Sequence, residues 1–254
     1  MTLKLAAIAC VYNEKDFVEQ LVRHYEPEVD AIFLLDNEST DGSTVGISER
    51  HPKVVVSTYA TGGAYDDPVK HRTLVNKKLE CDGKFDYVLL VDADEFVRSK
   101  NNEPIKETIK RTGFQDVYGT DGWNIYTYPG DPVYDPTKPI LSQRKRGVPN
   151  AHYSKPIIVR PGYPADYILG CHWIENNQDP ALKDPERVHF WMYHLRGFDD
   201  EIFIRRSFER IPRMTKPYPG HYYWNVTEQN LRDRIAYERN YTTPKQVVPD
   251  NLCL

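Results

Sequence analysis

Asp92 and Asp94 stand one residue apart in Val91-Asp92-Ala93-Asp94-Glu95, directly after the apolar run Tyr87 to Val91. Two carboxylates at one turn can take different targets: one can ligate a hard divalent ion while the other meets a ribose hydroxyl or a second metal position. Such an ion is what a diphosphate leaving group needs, because negative charge grows on its bridging oxygen as a bond to it breaks. A solvated acidic turn is the plainer reading of D-x-D alone. The buried strand before it moves the balance toward chemistry.

A second constellation lies upstream, Leu34-Leu35-Asp36-Asn37-Glu38-Ser39-Thr40-Asp41-Gly42-Ser43. An acid at a strand end can accept from a base or a ribose, and the turn after it brings backbone N–H groups close. A plain strand–turn–helix junction, with Asp41 as a cap, is the alternative.

Positioning these groups takes strands. Leu5 to Val11, Ala31 to Leu35, Val54 to Val56 and Tyr87 to Val91 are apolar runs suited to burial on both faces. Between them, Lys15 to Tyr25 and Pro68 to Leu79 carry helical spacing, the second with Pro in its first turn. Alternation of this kind predicts α/β architecture, one domain with a central, mostly parallel sheet flanked by helices. Ligands of such sheets bind beyond the carboxyl ends of the strands. Tyr12-Asn13-Glu14, Asp36-Asn37 and Asp92 to Glu95 all fall there.

Further on the pattern loosens. Val117 to Tyr128, Lys155 to Arg160 and Arg187 to Tyr193 are strand-like, Asp199 to Arg210 and Thr227 to Asn240 helical, and 129 to 151 reads as a long loop or lid. The expected organisation is one domain over 1–245: a first half (1–98) carrying the strand-end cluster, a second half (99–200) and C-terminal helices (200–245). The tail 246–254 is a possible linker to a further domain.

Composition bounds the partners. The 254 residues carry a formal charge of −4, which gives no footprint for nucleic acid. No stretch reaches the ~20 apolar residues of a membrane span. Four scattered cysteines without a C-x-x-C pair, and no secretory leader, favour a reducing, cytoplasmic setting. In that setting the glycosylation patterns at Asn225 and Asn240 are accidental.

In order along the chain, Tyr12-Asn13-Glu14, Asp36-Asn37-Glu38-Ser39-Thr40-Asp41-Gly42-Ser43 and Asp92-Ala93-Asp94-Glu95-Phe96 resemble a family 2 type of glycosyltransferase with the GT-A fold. The branch is the one reading YNE, DNESTDGS and DADEF. Ser154 to Pro161 and Tyr193-His194-Leu195-Arg196 extend the resemblance to roughly residues 5 to 210. It implies transfer of a sugar from a nucleotide-sugar, a UDP-sugar by preference, to a hydroxyl of a glycan or glycoprotein, with Mn²⁺ or Mg²⁺. It also implies that Tyr12 and Glu14 border the nucleotide and that Asp36 and Asn37 meet its base. Asp92 would lie by ribose and metal, and Asp94 on the metal, as the catalytic pair. Asp121 departs from the small residue usual at its position, which puts acceptor contacts in question.

A further metal ligand has to come from later in the chain, and histidine suits Mn²⁺. His194, ending a strand-like run, is the first choice, then His172 and His152. Lys70, Arg72 and Arg196 are candidates to neutralise phosphate, and Arg72 is placed with the nucleotide-sugar residues. Arg144-Lys145-Arg146 could close over the diphosphate, although a solvated loop face is the commoner fate of such a run. Asp121 and Glu175 are candidate bases for the acceptor. Trp123, Trp173 and Trp191 offer faces for sugar rings or simply fill core.

Two rivals remain. A haloacid-dehalogenase-like phosphatase also places D-x-D after a strand, but on its first strand and with Thr or Val two residues past the second aspartate, where Phe96 stands here. A non-catalytic sugar-binding module of the same fold would have no need for both aspartates.

Overall fold

Seven fully buried residues, Leu5–Val11, form strand β1 at the middle of the sheet in the computed structural model of the chain. The structure describes residues 2–164, 188–214, 226–240 and 244–248. Parallel to β1 run β2 (Ala31–Asp36) on one side and β4 (Tyr87–Asp92) on the other, with β3 (Val54–Thr58) outside β2. The helices between them are α1 (Val18–Tyr25), the short α2 (Ile47–Arg50) and α3 (Asp67–Glu80). These are the expected βαβ units. Val11 pairs with Asp36 and Cys10 with Asp92, so the carboxyl ends of three strands finish level.

Beyond β4 the sheet changes sense. β8 (Pro156–Val159) pairs antiparallel with β4, then β6 (Val117–Tyr126), β7 (Arg146–Pro149) and β10 (Lys245–Gln246) follow, each antiparallel to its neighbour. The described strands thus make one mixed sheet, parallel through β3-β2-β1-β4 and antiparallel from β8 to β10.

Two strands off this path build the site. β5 (Glu95–Ser99) starts immediately after the D-x-D turn and pairs antiparallel with β9 (Phe190–Gly197), with Glu95 opposite His194. β9 also lies parallel to β6, with Asn124 beside His194. A histidine a hundred residues away in sequence is thereby set against the turn. Helix α4 (Ile105–Arg111) follows β5.

The segment 129–151 is not an open lid. It contains α5 (Ile140–Gln143) and β7, and it is clipped by Arg144, which is 1% exposed. The Arg144 guanidinium donates to Thr127 Oγ1, to the carbonyls of Phe198 and Pro132, and to that of Gln143. Arg146 pairs with Asp131 and lies over the Tyr128 ring. Both arginines are therefore structural ties, which corrects the expectation of a basic flap over a diphosphate.

Helix α6 (Asp200–Arg210) opens on Asp199, whose carboxylate accepts from the N–H groups of Glu201 and Ile202. That cap satisfies two of the orphan donors of a helix start. α7 (Glu228–Asn240) buries Leu231 and Ile235, four apart on one face, in a satellite core with Tyr126, Phe203 and Ile204. Among the described residues no helix is long and apolar enough to cross a membrane.

Candidate active site at the carboxyl edge

The loops after β1 and β2 brace one another. Ser39 Oγ, Ser43 Oγ and Asp41 Oδ2 accept from the N–H groups of Asn13, Glu14 and Lys15 in turn, and Asn13 Oδ1 accepts from Thr40 N. Asn13 and Glu38 hold φ of 51° and 58°, a left-handed region that costs non-glycine residues energy and persists where surroundings impose it. The Ser-Thr-Asp-Gly-Ser run is thus a frame for Tyr12-Asn13-Glu14.

Asp36 belongs to that frame as well. Its Oδ1 accepts from Ser39 N and Oγ, and its Oδ2 from Thr44 Oγ1 at 2.6 Å. In this structure its carboxylate is taken up by the turn rather than turned to the pocket. Asn37, next in sequence, does line it.

The pocket lies where the three strand ends meet, bordered by Tyr12, Glu14, Asn37, Lys70, Asp92 and Asp94. Arg206, Arg210 and Arg213 line it from α6 and the turn that follows. Sequence reading missed all three. Their spacing of four and three does share one helix face, but nothing local says which face looks inward. Arg72 sits two residues from Lys70 on α3, hence on the far side of the helix, and is exposed. It does not border the strand-end pocket in this structure. Arg196 points elsewhere and pairs with Glu238 at 2.9 Å.

Asp94 is 7% exposed, so it is not the open turn residue that an acidic loop suggests. Arg206 spans Asp94 Oδ2 at 2.7 Å and Glu14 Oε1 at 2.6 Å. Burial acts to raise the Asp94 carboxyl, but Arg206 and His194 overcome it and hold the group well below the usual carboxylate range. Glu14 behaves oppositely. Burial outweighs Arg206 and, with Asp94 adding to it, pushes that carboxyl up to about 7. The Oε2 of Glu14 is buried without a hydrogen-bond partner, a position into which a ligand donor would fit.

Asp92 is held by Lys70, Nζ to Oδ1 2.7 Å. Burial opposes its ionisation, yet Lys70 keeps the carboxyl below its ordinary range. Behind the turn, Glu95 is fully buried: Oε1 accepts from Lys155 Nζ at 2.7 Å and Oε2 from the Asp92 N–H at 2.9 Å. The last acid of the motif therefore fixes the backbone of the first.

Does a divalent ion suit these residues? His194 Nδ1 lies 2.8 Å from Asn124 Oδ1, while Asn124 Nδ2 donates to Tyr126 Oη. An amide oxygen only accepts, so Nδ1 carries the hydrogen. Nε2 is then the ring nitrogen turned to the turn, 3.5 Å from Asp94 Oδ2. The imidazole is oriented by a hydrogen-bonded amide, as metal-ligating histidines are, and Nε2, once deprotonated, could share an ion with the Asp94 carboxylate. Tyr153 stacks on the same ring at 3.7 Å. The donor set fits Mn²⁺ or Mg²⁺ in part. Among the described residues no three His, Cys, Asp or Glu side chains converge, so oxygens from elsewhere must complete the shell.

Other expectations fall away from the pocket. Asp121 is bound by Lys100, which also lies over Trp191 at 4.4 Å, and Trp191 packs edge-on against Trp123. That group borders neither strand-end acid. His152 is on a turn lining a different cleft. His172, Trp173 and Glu175 lie outside the described residues.

The enclosed volume at the strand ends is about 100 Å³, below the roughly 300–1,000 Å³ common for small-molecule sites. The arginines account for this. Arg213 lies 3.2 Å from the centroid of the Tyr12 ring and donates to Asn37 Oδ1, while its N–H groups also reach the carbonyls of Gly63 and Ala64.

No family model matches this chain, and no curated relative matches it. Among solved structures, S. aureus TarS in complex with UDP is similar with a TM-score of 0.40 and 14% identity, over 93% of this chain and 70% of that one. Glucosyl-3-phosphoglycerate synthase from Mycobacterium tuberculosis, in complex with Mn²⁺, UDP and glucosyl-3-phosphoglycerate, gives 0.33 and 15% over 48% and 44%. A 4-diphosphocytidyl-2C-methyl-D-erythritol synthase gives 0.36 and 15% over 64% and 76%. Overlaps this loose transfer neither substrate nor residue roles, so function has to be argued from the side chains.

Proposed function

We propose that the chain is a metal-dependent glycosyltransferase that moves a sugar from a nucleoside-diphosphate sugar to a hydroxyl of a glycan or other acceptor. The observation that carries this reading is the approach of His194 Nε2 to Asp94 Oδ2, 3.5 Å, at the carboxyl edge of a parallel sheet. Around that pair the described pocket residues include six acids and four bases, a formal excess of two negative charges that suits one divalent cation.

Asp94 and His194 would hold Mn²⁺ or Mg²⁺, which when bound supplies charge to stabilise the leaving diphosphate. The protein's own part is positional. Lys70, Arg206 and Arg210 offer fixed positive charge in the same pocket, worth most where water is excluded. Asp92, level with Cys10 and braced through Glu95, is set for a ribose hydroxyl. Tyr12 and Asn37 would border the base only with Arg213 displaced, since that guanidinium covers the Tyr12 ring and donates to Asn37 Oδ1. A UDP-sugar is the donor to try first, with a GDP-sugar as the alternative.

Release of free UDP from UDP-glucose, UDP-galactose and UDP-N-acetylglucosamine tests this, since transferases leak sugar to water. Release that requires Mn²⁺ and stops with a chelator supports the reading. No release from any of them, together with hydrolysis of a simple phosphate monoester, would replace it with a phosphatase.

A further inference from the structure

On the other side of His194 lies a second cleft, of about 650 Å³, between β6, β7 and α7. The two spaces share a wall: Tyr153 lines the second cleft and stacks on the His194 ring, whose far edge faces Asp94. Asn124, which orients His194, also borders it.

The opposite wall is one face of α7, where Arg234, Tyr237 and Glu238 are three and four apart. Glu238 is gripped from several sides. Its Oε2 accepts from Arg196 Nε at 2.9 Å and Tyr126 Oη at 3.2 Å, and its Oε1 from Arg234 Nε at 2.8 Å. Those contacts, with burial opposing them, keep the carboxyl below its usual range, so it stays an acceptor at neutral pH. Beside this rigid polar cluster Tyr237 is 65% exposed, an unusual place for a large ring.

From this arrangement we infer that the cleft is a subsite for a sugar ring of the acceptor. Flat carboxylate and guanidinium groups, held so that they cannot rearrange, match the vicinal hydroxyls of a pyranose. The Tyr237 and Tyr153 rings supply flat apolar surface for its C–H face. A ring seated there would be separated from the metal pair by the thickness of one imidazole–phenol stack. The inference rests on the transferase reading for its purpose, but not for its test.

The experiment is saturation-transfer NMR on the full chain without donor, using the methyl pyranosides of glucose, galactose and N-acetylglucosamine, with inorganic phosphate as a control. At least one glycoside is expected to bind. Tyr237→Ala, an exposed change with little effect on folding, is expected to weaken it about tenfold, and Tyr237→Phe to retain it. Absence of glycoside binding, equal binding by Tyr237→Ala, or phosphate displacing the glycoside in an Arg234-dependent way would overturn the inference. If the wild type releases no UDP, the transferase reading fails, whether or not the cleft binds sugar.

Discussion

Arg206 on α6 donates to Asp94 across 112 residues of sequence, Nη1 to Oδ2 2.7 Å, and the same guanidinium reaches Glu14. A fixed positive charge therefore stands beside the one carboxylate that a divalent ion needs.

Removing that charge is expected to divide binding from turnover. At about 4 Å and an effective dielectric of about 20, a neighbouring unit charge is worth about 4 kcal/mol. Arg206→Gln should bind Mn²⁺ alone at least about tenfold more tightly, as measured by electron paramagnetic resonance. Its UDP release from the preferred donor should fall by at least about tenfold, because the diphosphate loses a cation. Unchanged values for both would show that Arg206 is only a tether for α6.

Glu14 links the site to pH. A carboxyl raised to about 7 in the folded state, from 4.5, means that the native protein holds this proton more tightly than the unfolded chain. Stability contributed in that way is complete below pH ~4.5 and is lost as pH rises toward 7, on the order of 3 kcal/mol. Glu14→Gln keeps an acceptor for Arg206 without the charge. In metal-free protein it is expected to melt higher than wild type at pH 8 and close to it at pH 5. Parallel melting profiles for the two proteins across that range would count against the assignment.

Lys155 and Glu95 form a buried ion pair under the D-x-D turn, 2% and 0% exposed at their side chains. Deleting one partner strands the other, at a cost of about 3–5 kcal/mol. Lys155→Met should lower stability by that amount in urea unfolding. Replacing both, as Lys155→Met with Glu95→Leu, should recover part of the loss but not the UDP release, because the Asp92 N–H loses its acceptor. Full activity in the double variant would mean the turn needs no brace.

How much of this could be read beforehand follows from the physics of each element. Strands β1, β2 and β4 are apolar runs because both of their faces are largely covered, and such runs end at the residues that meet solvent or ligand. Tyr12, Asn37, Asp92 and Asp94 were visible for that reason. His194 was visible as the end of an apolar run, but its approach to Asp94 depends on the β5–β9 register, and β5 itself is too short and too polar to announce a strand. Asp36 was visible as a strand-end acid, but not its engagement by Ser39 and Thr44, because the same residue type serves a ligand or its own turn. The arginines of α6 were hidden more deeply. An inward-facing arginine and a solvated one look alike until packing sets the helix face. Tyr237 and Glu238 on α7 were missed on the same grounds.

The central claim is that Asp94 and His194 together hold the metal on which donor cleavage depends. It is tested most directly by Mn²⁺ titration of UDP release in wild type, Asp94→Asn and His194→Ala, with His172→Ala beside them. The account predicts that Asp94→Asn lowers release at least about a hundredfold at any Mn²⁺ concentration. It predicts that His194→Ala shifts the half-saturating Mn²⁺ upward by at least about tenfold, and that metal-free melting temperatures barely move. His194→Ala titrating like wild type while His172→Ala carries the shift, or Asp94→Asn retaining near-normal release, would contradict it.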